Sequence, residues 1–267
     1  MPFALLSDAR IHYEIDGDAG APPLILSNSL GASLEMWEPQ MPALAGRFRV
    51  IRYDSRGHGQ SQVTPGPYSI EQLANDALGV LDELSVSRAH FCGLSMGGMV
   101  GMWIAINAPQ RVDRLVLANT AAKIGTAEMW KARIDAVRKG GTASIAPAVL
   151  ARWFTPALLD TPTPMIAKVR ATFERMSADG YAACCAAVRD TDQRHTLGRI
   201  RAPTLVIAGS DDLSTPADDG RYTAEHVPGA RYVELPATHL SNIQAAPAFT
   251  QALMQFLTGP HGVSRDG

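Results

Sequence analysis

The sequence contains no apolar run as long as a membrane span. Its 267 residues are 46% hydrophobic and 19% charged, which is ordinary for a globular enzyme. No apolar stretch reaches the ~18 residues of a transmembrane helix, and no basic segment followed by an apolar core marks a signal peptide. We therefore expect a protein without a membrane partner, built as one α/β domain that carries one insertion.

The sequence also has few cysteines and a small net charge. Three cysteines cannot all pair, and Cys184 and Cys185 are neighbours rather than a C-x-x-C site. We expect Cys92 to be a buried reduced thiol, which favours a cytoplasmic location. A formal net charge of -2 gives no reason to expect nucleic acid as a partner. No His or carboxylate cluster has metal spacing and no G-x-G-x-x-G follows the first strand, so we expect no metal or cofactor.

Short apolar runs alternate with helical patterns along most of the chain. Apolar residues recur at helical spacing over Ile70–Leu84, Met96–Asn107 and Phe249–Leu257. This alternation predicts the α/β class, with a mostly parallel sheet covered by helices on both faces. The predicted strands are Ile11–Ile15, Pro23–Asn28, Arg49–Asp54, Ala89–Cys92, Leu115–Ala118, Thr204–Ala208 and Arg231–Leu235.

The alternation stops between residues 121 and 197. This segment has helical patterns, two tryptophans and the proline-rich break Thr161–Pro164, but no interior strand pattern. We interpret residues 121–197 as a helical cap inserted into a core formed by residues 1–120 and 198–267. The tail from Gly259 is expected to fray.

The pentapeptide Gly93–Gly97 matches the pattern G-x-S-x-G around Ser95. Its glycines suit a sharp strand-to-helix turn, and here it follows a predicted strand and opens a predicted helix. Ser95 is the predicted nucleophile, and the backbone N–H of Met96 is a candidate donor to the oxyanion. The alternative is a glycine-rich turn with an incidental serine.

A serine nucleophile needs a base and an acid, and on this kind of turn they follow it in the order acid, then histidine. His239 follows the last predicted strand by a few residues, where a loop can bring it to Ser95. Asp211 and Asp212 both follow the preceding strand, and adjacent residues point in opposite directions, so the residues alone leave both open. The other histidines fit less well: His12, His58, His90, His195, His226 and His261.

Two further loops adjoin the predicted site. Ser27–Gly31 follows the strand that ends near Asn28, and we expect the N–H of Leu30 to be the second oxyanion donor. Asp54–Ser61 is rich in catalytic residue types, but it reads as a tight turn beside the site, and we expect a structural role.

Several longer motifs are distributed along the chain: Ser27-Asn-Ser-Leu-Gly31, Arg52-Tyr-Asp-Ser-Arg-Gly-His-Gly59, Phe91-Cys-Gly-Leu-Ser-Met-Gly-Gly98, Asn119-Thr-Ala-Ala122, Arg152-Trp-Phe154 and His239-Leu-Ser-Asn242. In these motifs the chain resembles 3-oxoadipate enol-lactonases, which are α/β-hydrolases, over nearly its whole length. Thr215-Pro216 fits the G-x-x-D-x-x-x-P pattern of these enzymes, which selects Asp212 as the acid. One departure is Thr238-His239-Leu240, where relatives often have Ser-His-Ile.

The resemblance implies hydrolysis of 3-oxoadipate enol-lactone to 3-oxoadipate in bacterial aromatic catabolism. This small-molecule substrate carries a carboxylate, and the family's Trp and Arg three positions apart match Trp130 and Arg133. We expect Arg133 to bind the carboxylate bidentately, unless it lies on a solvated basic face of its helix. Trp130 and Trp153 line the pocket or only pack the cap onto the core.

Two other functions fit the same residues. A related hydrolase would act on another ester or on a carbon–carbon bond with the same three residues. A ligand-binding receptor would keep the scaffold without catalysis. A haloalkane dehalogenase is disfavoured, because it needs Asp where Ser95 stands.

Overall fold

An eight-stranded sheet runs through residues 2–259, the part of the chain that this computed structural model describes. The strands are β1 (Phe3–Leu5), β2 (Arg10–Asp16), β3 (Pro23–Ser27), β4 (Arg49–Tyr53), β5 (Ala89–Leu94), β6 (Val112–Ala118), β7 (Thr204–Gly209) and β8 (Arg231–Leu235). Their order in the sheet is β1-β2-β4-β3-β5-β6-β7-β8. β1 and β2 pair antiparallel, and every pair from β4 to β8 is parallel.

The middle strands are buried on both faces. Every residue of β5 and β7 is buried, and successive side chains of a strand point to opposite faces, so both faces of the sheet are covered. This confirms the predicted mostly parallel sheet. β1 is an addition that the sequence pattern did not indicate.

Helices connect the parallel strands. α3 packs against β3, β5 and β6, α2 packs against α3, and α8 packs against β7 and β8. No helix within residues 2–259 is both long and apolar enough to cross a membrane. The helices are α1 (Met41–Leu44), α2 (Ile70–Glu83), α3 (Met96–Asn107), α4 (Ala127–Trp153), α5 (Pro156–Asp160), α6 (Pro164–Glu174), α7 (Ala178–Arg189), α8 (Ala217–His226), α9 (Ser241–Gln244) and α10 (Ala246–Thr258), with 3-10 turns at Leu34–Gln40, Pro109–Arg111 and Arg194–Arg199.

The chain between β6 and β7 is helical, and none of its residues lies in a strand. α4 is two helical segments joined at Gly141, whose φ is 73° and whose ψ is 174°, and it packs against both α6 and α7. Lys168 on α6 forms ion pairs with Glu35 (3.0 Å) and Glu38 (2.5 Å), which attach these helices to the loop after β3. Residues 260–267, where His261 lies and fraying was expected, are outside the described residues.

Candidate active site

Ser95 occupies a strained turn between β5 and α3. Its φ of 58° and ψ of -116° are rarely adopted by residues with a side chain. The backbone closes tightly around it: a Cβ atom on Gly93 would lie 2.1 Å from the Gly97 carbonyl oxygen, and one on Gly97 would lie 2.2 Å from the Ser27 carbonyl oxygen. Only glycine fits at either position, and the turn projects Ser95 at the carboxyl end of the strand.

Two backbone N–H groups lie beside Ser95. Met96 begins α3, and Leu30 lies in the loop after β3; both line the same pocket as Ser95. A hydrogen bond of 3.0 Å from Gly97 N–H to the Asn28 carbonyl joins this loop to the turn. Among the hydrogen bonds of residues 2–259, none is donated by the N–H of Leu30 or of Met96. Both are therefore free to donate to an oxyanion.

His239 and Asp212 form a buried pair at the same edge of the sheet. His239 Nδ1 lies 2.8 Å from Asp212 Oδ2, and the two residues are 2% and 4% exposed. Asp211 is exposed, and its carboxylate accepts a hydrogen bond from the Ser210 hydroxyl instead. The structure thus brings Asp212, and not Asp211, to His239.

The Asp212 carboxylate accepts hydrogen bonds at both oxygens. Oδ2 accepts from Asn119 Nδ2 (3.0 Å) and from the Thr215 hydroxyl (2.7 Å), besides His239. Oδ1 accepts from the backbone N–H groups of Ser214 (2.7 Å) and Thr215 (3.1 Å). Burial raises the pKa of Asp212 most strongly, but the charge of His239 and these hydrogen bonds outweigh it and hold the pKa at about 2. Asp212 is therefore ionised and able to stabilise an imidazolium.

Asn119 is a site residue that the sequence reasoning missed. Its Nδ2 donates to Asp212 and, at 3.3 Å, to the Thr238 carbonyl, so it joins the acid loop to the histidine loop. Its φ is 42°, a conformation that asparagine tolerates better than most residues. A polar residue directly after the buried strand β6 was the signal that could have found it.

A pocket lies between α4 and α7 on one side and the sheet edge on the other. Among residues 2–259, two arginines and no carboxylate line it, so the pocket suits an anion. The lining residues are Ser29, Leu30, Ser95, Met96, Ile124, Met129, Trp130, Arg133, Val149, Arg152, Trp153, Tyr181, Val188, Ser214 and His239.

The predicted binding residues Trp130, Arg133 and Trp153 all reach this pocket. The Arg133 guanidinium lies 4.9 Å from the centre of the Trp130 ring and forms no ion pair with any residue in the described range 2–259. The Trp130 ring is fixed by a 2.6 Å hydrogen bond from Nε1 to the Ile124 carbonyl. The Trp153 ring meets Phe173 edge-on at 5.4 Å. The structure therefore places Arg133 on the pocket wall rather than on a fully solvated face.

Arg152 is a second pocket cation that the sequence reasoning did not single out. It donates to the Leu213 carbonyl and, at 3.3 Å, to the Ser214 hydroxyl, next to Asp212. Burial and the nearby charge of Arg133 lower its pKa. The adjacent Trp153 carbonyl accepts from the Thr238 hydroxyl at 2.5 Å. The end of α4 thus contacts the loops of both Asp212 and His239.

The loop Asp54–Ser61 is held by buried polar contacts. Asp54 accepts hydrogen bonds from His12, from Leu34 N–H and from Gln60 N–H. The buried Arg56 pairs with Asp76 at 2.5 Å. Within residues 2–259 no group of His, Cys, Asp and Glu is arranged to hold a metal ion.

Comparison with known proteins agrees with this geometry. The family model of the α/β hydrolase fold matches residues 22–141. The 3-oxoadipate enol-lactonase 2 of Acinetobacter baylyi is 43% identical over 92% of each chain. The chain belongs to the 3-oxoadipate enol-lactonase family of α/β-hydrolases. It is a carboxylic ester hydrolase.

Solved structures of similar chains share its whole fold. The enol-lactonase from Burkholderia xenovorans is 46% identical, with a TM-score of 0.95 over 96% of this chain and 100% of that one. A hydrolase from Pseudomonas aeruginosa is 50% identical, with a TM-score of 0.94 over 96% of this chain and 98% of that one. The enol-lactonase family therefore matches this chain in its helices between β6 and β7 as well as in its sheet.

Proposed function

We propose that this protein hydrolyses 3-oxoadipate enol-lactone to 3-oxoadipate, with Ser95, His239 and Asp212 as its catalytic residues. The observation that carries this proposal is the pocket in which Ser95 and His239 lie together with two arginines and, within the described part of the chain, with no carboxylate. Relatives named 3-oxoadipate enol-lactonase support the substrate. The reaction belongs to aromatic-compound catabolism in the β-ketoadipate pathway. Three buried free thiols suit the cytoplasm, where we place it.

Acylation begins with attack of Ser95 Oγ on the lactone carbonyl while His239 Nε2 takes the hydroxyl proton. The carbonyl oxygen becomes an oxyanion, and the N–H groups of Leu30 and Met96 donate to it. The first turn of α3 adds the positive end of its helix dipole. Asp212, ionised and bonded to His239 Nδ1, stabilises the imidazolium that forms.

Collapse of the tetrahedral intermediate breaks the bond between the carbonyl carbon and the ring oxygen. His239 returns its proton to that oxygen, which leaves as an enol still attached to the acyl group. The enol then becomes a ketone, which draws the reaction forward. A water molecule, deprotonated by His239, attacks the acyl-enzyme, and Ser95 is released together with 3-oxoadipate.

Residues of the pocket wall bind the carboxylate of the substrate. The Arg133 guanidinium offers a planar pair of donors to the substrate carboxylate, and the indole rings of Trp130 and Trp153 form apolar walls beside it. We further propose that residues 121–197 act as a cap over a core formed by residues 1–120 and 198–267. The cap supplies these three residues, and the core supplies the reacting groups.

A substrate panel tests this assignment. We expect Arg133→Ala to lower kcat/KM for the carboxylated lactone by ~10–100-fold, because a hydrogen bond to a charged partner is lost. A neutral ester of similar size should lose less than ~3-fold. Lys131→Ala is the matched control: this exposed lysine of the same helix pairs with Asp135, and its loss should change neither activity.

Equal losses on both substrates would contradict the carboxylate role of Arg133. Turnover of neutral esters by the wild type without turnover of the lactone would favour a related esterase instead. No turnover of any ester, with no covalent labelling of Ser95 by a fluorophosphonate, would favour a ligand-binding protein.

A further inference from the structure

The His58 imidazole binds the loop that carries Leu30. His58 is buried, 1% exposed, and is not among the residues that line the pocket. Its Nε2 atom lies 2.9 Å from the backbone nitrogen of Gly31. Gly31 directly follows Leu30, so this bond is made one residue away from the N–H that we propose as an oxyanion donor.

This contact determines which nitrogen of His58 carries the proton. An N–H donor such as Gly31 needs an unprotonated acceptor, so Nε2 is bare and the proton is on Nδ1. Nδ1 in turn lies 3.3 Å from the Arg56 carbonyl, which accepts that proton's hydrogen bond. The imidazole therefore bridges two backbone segments, accepting from one and donating to the other.

The segment on the far side of His58 is rigid. Arg56 is 1% exposed and donates to Asp76 and to Asp8, each through two nitrogens. The neighbouring Gly57 packs so closely on α7 that a Cβ atom there would lie 2.7 Å from Gly180 Cα. His58 thus joins a segment held by ion pairs and close packing to the loop that carries Leu30.

The loop at Gly31 is closely packed and has irregular backbone. Gly31 has a φ of +89°, and a Cβ atom on it would lie 2.8 Å from the Phe173 ring and 3.1 Å from the Trp153 ring. The loop is pressed between these rings and the sheet edge without belonging to a helix or a strand. Within residues 2–259, the hydrogen bond from the Gly31 N–H to His58 is the one bond that joins this loop to a histidine side chain.

We propose that His58 is a positioning residue for acyl transfer, which fixes the Leu30 N–H toward the oxyanion by accepting a hydrogen bond from the Gly31 N–H. The inference rests on the proposed role of Leu30 as an oxyanion donor. His58 does not line the pocket that holds Ser95, and it acts through the loop. The loop Asp54–Ser61 is thereby part of the catalytic apparatus as well as a structural turn.

Two amide substitutions separate the two bonds of His58. In His58→Gln the side-chain oxygen can reach the place of Nε2 and accept from Gly31, whereas in His58→Asn the shorter amide reaches only the place of Nδ1 and can donate to Arg56. We expect kcat on the enol-lactone to fall ~10–100-fold in the Asn variant, part of the loss for removing an oxyanion donor. The Gln variant should stay within ~5-fold of wild type.

Two readouts distinguish positioning from general loss of structure. Binding of a trifluoromethyl ketone, which forms an oxyanion on Ser95, should weaken in the Asn variant by the same factor as kcat/KM. Binding of 3-oxoadipate and KM should stay within ~3-fold of wild type, because they do not need the oxyanion. Equal kcat in the two variants, or a loss confined to KM, would overturn the proposal.

The tautomer can be measured without any substitution. Nitrogen-15 NMR of the wild type should show His58 protonated at Nδ1 and bare at Nε2, and the opposite tautomer would overturn the proposal. Failure of the proposed function is separable: a wild type inactive on the enol-lactone refutes the substrate. In that case His58→Gln and His58→Asn are compared on p-nitrophenyl acetate, because every acyl transfer to Ser95 uses the same oxyanion donors.

Discussion

Replacing Asp212 by Asn tests the electrostatic core of the site, and the structure sets the size of the effect. The pKa of Asp212 is held at about 2, against an ordinary 3.8. A difference of one pKa unit between the folded and unfolded states corresponds to ~1.4 kcal/mol. The ionised carboxylate thus contributes ~2 kcal/mol to the free energy of unfolding. Because the folded pKa is the lower one, this contribution is present above pH 3.8 and is lost as the pH falls through about 2.

Urea unfolding at pH 7 measures this contribution. We expect Asp212→Asn to lower the free energy of unfolding by ~2 kcal/mol, because an amide cannot accept all the hydrogen bonds that converge on the carboxylate. The difference from wild type should shrink as the pH falls below 3.8. We expect kcat to fall ~10³–10⁴-fold, since His239 loses the anion that stabilises its charged form.

Asp211→Asn is the matched control, because this exposed neighbour carries the same charge. It should change the free energy of unfolding by less than ~0.5 kcal/mol and leave kcat within ~2-fold. An Asp211→Asn variant as impaired as Asp212→Asn would refute the reasoning, and so would an Asp212→Asn variant with wild-type kcat.

Two further predictions concern backbone strain and pH. The free energy of unfolding, measured in urea, should be ~1 kcal/mol higher for Ser95→Gly than for Ser95→Ala, because glycine freely adopts a φ of 58°. Equal stability of these two inactive variants would show that the turn stores no strain. Burial lowers the pKa of His58 from 6.5 to about 4, so the unfolded chain takes up this proton first. The wild type should therefore lose ~3 kcal/mol of stability as the pH falls from 6.5 to 4, and His58→Gln should lose correspondingly less over that interval; an identical slope for the two proteins would contradict the account.

The strands were predictable where burial dictates the sequence. β7 is covered on both faces, so Leu205–Ala208 appears as a continuous apolar run between polar loops. β1 has only three residues and pairs with a single neighbour, which is too short to show a period. Its existence depends on the rest of the sheet being in place.

The reacting groups were predictable as far as chain order and local geometry determine them. Ser95 is marked by glycines that the tight turn requires, and His239 by its position after the last strand. The choice between Asp211 and Asp212 depends on how one loop turns. In the sequence both aspartates are equally able to pair with His239. Only the folded loop places the donors of Asn119 and Thr215 around Asp212.

The far wall of the pocket could not be derived in the same way. Arg152 lies beyond Gly141, where α4 breaks. Helical periodicity before a break does not predict which way the side chains after it point. Its contacts with Leu213 and Ser214 join positions 61 and 62 residues apart. Such contacts exist only in the folded chain, whereas Arg133, before the break, could be proposed by resemblance.

The absorbance of 3-oxoadipate enol-lactone, followed after addition of enzyme, tests the central claim most directly. We predict rapid loss of absorbance with the wild type and a rate at least ~10³-fold lower with Ser95→Ala, because the acyl-enzyme cannot form. A wild type that leaves the lactone unchanged, or a Ser95→Ala variant that opens it as fast, would contradict the account.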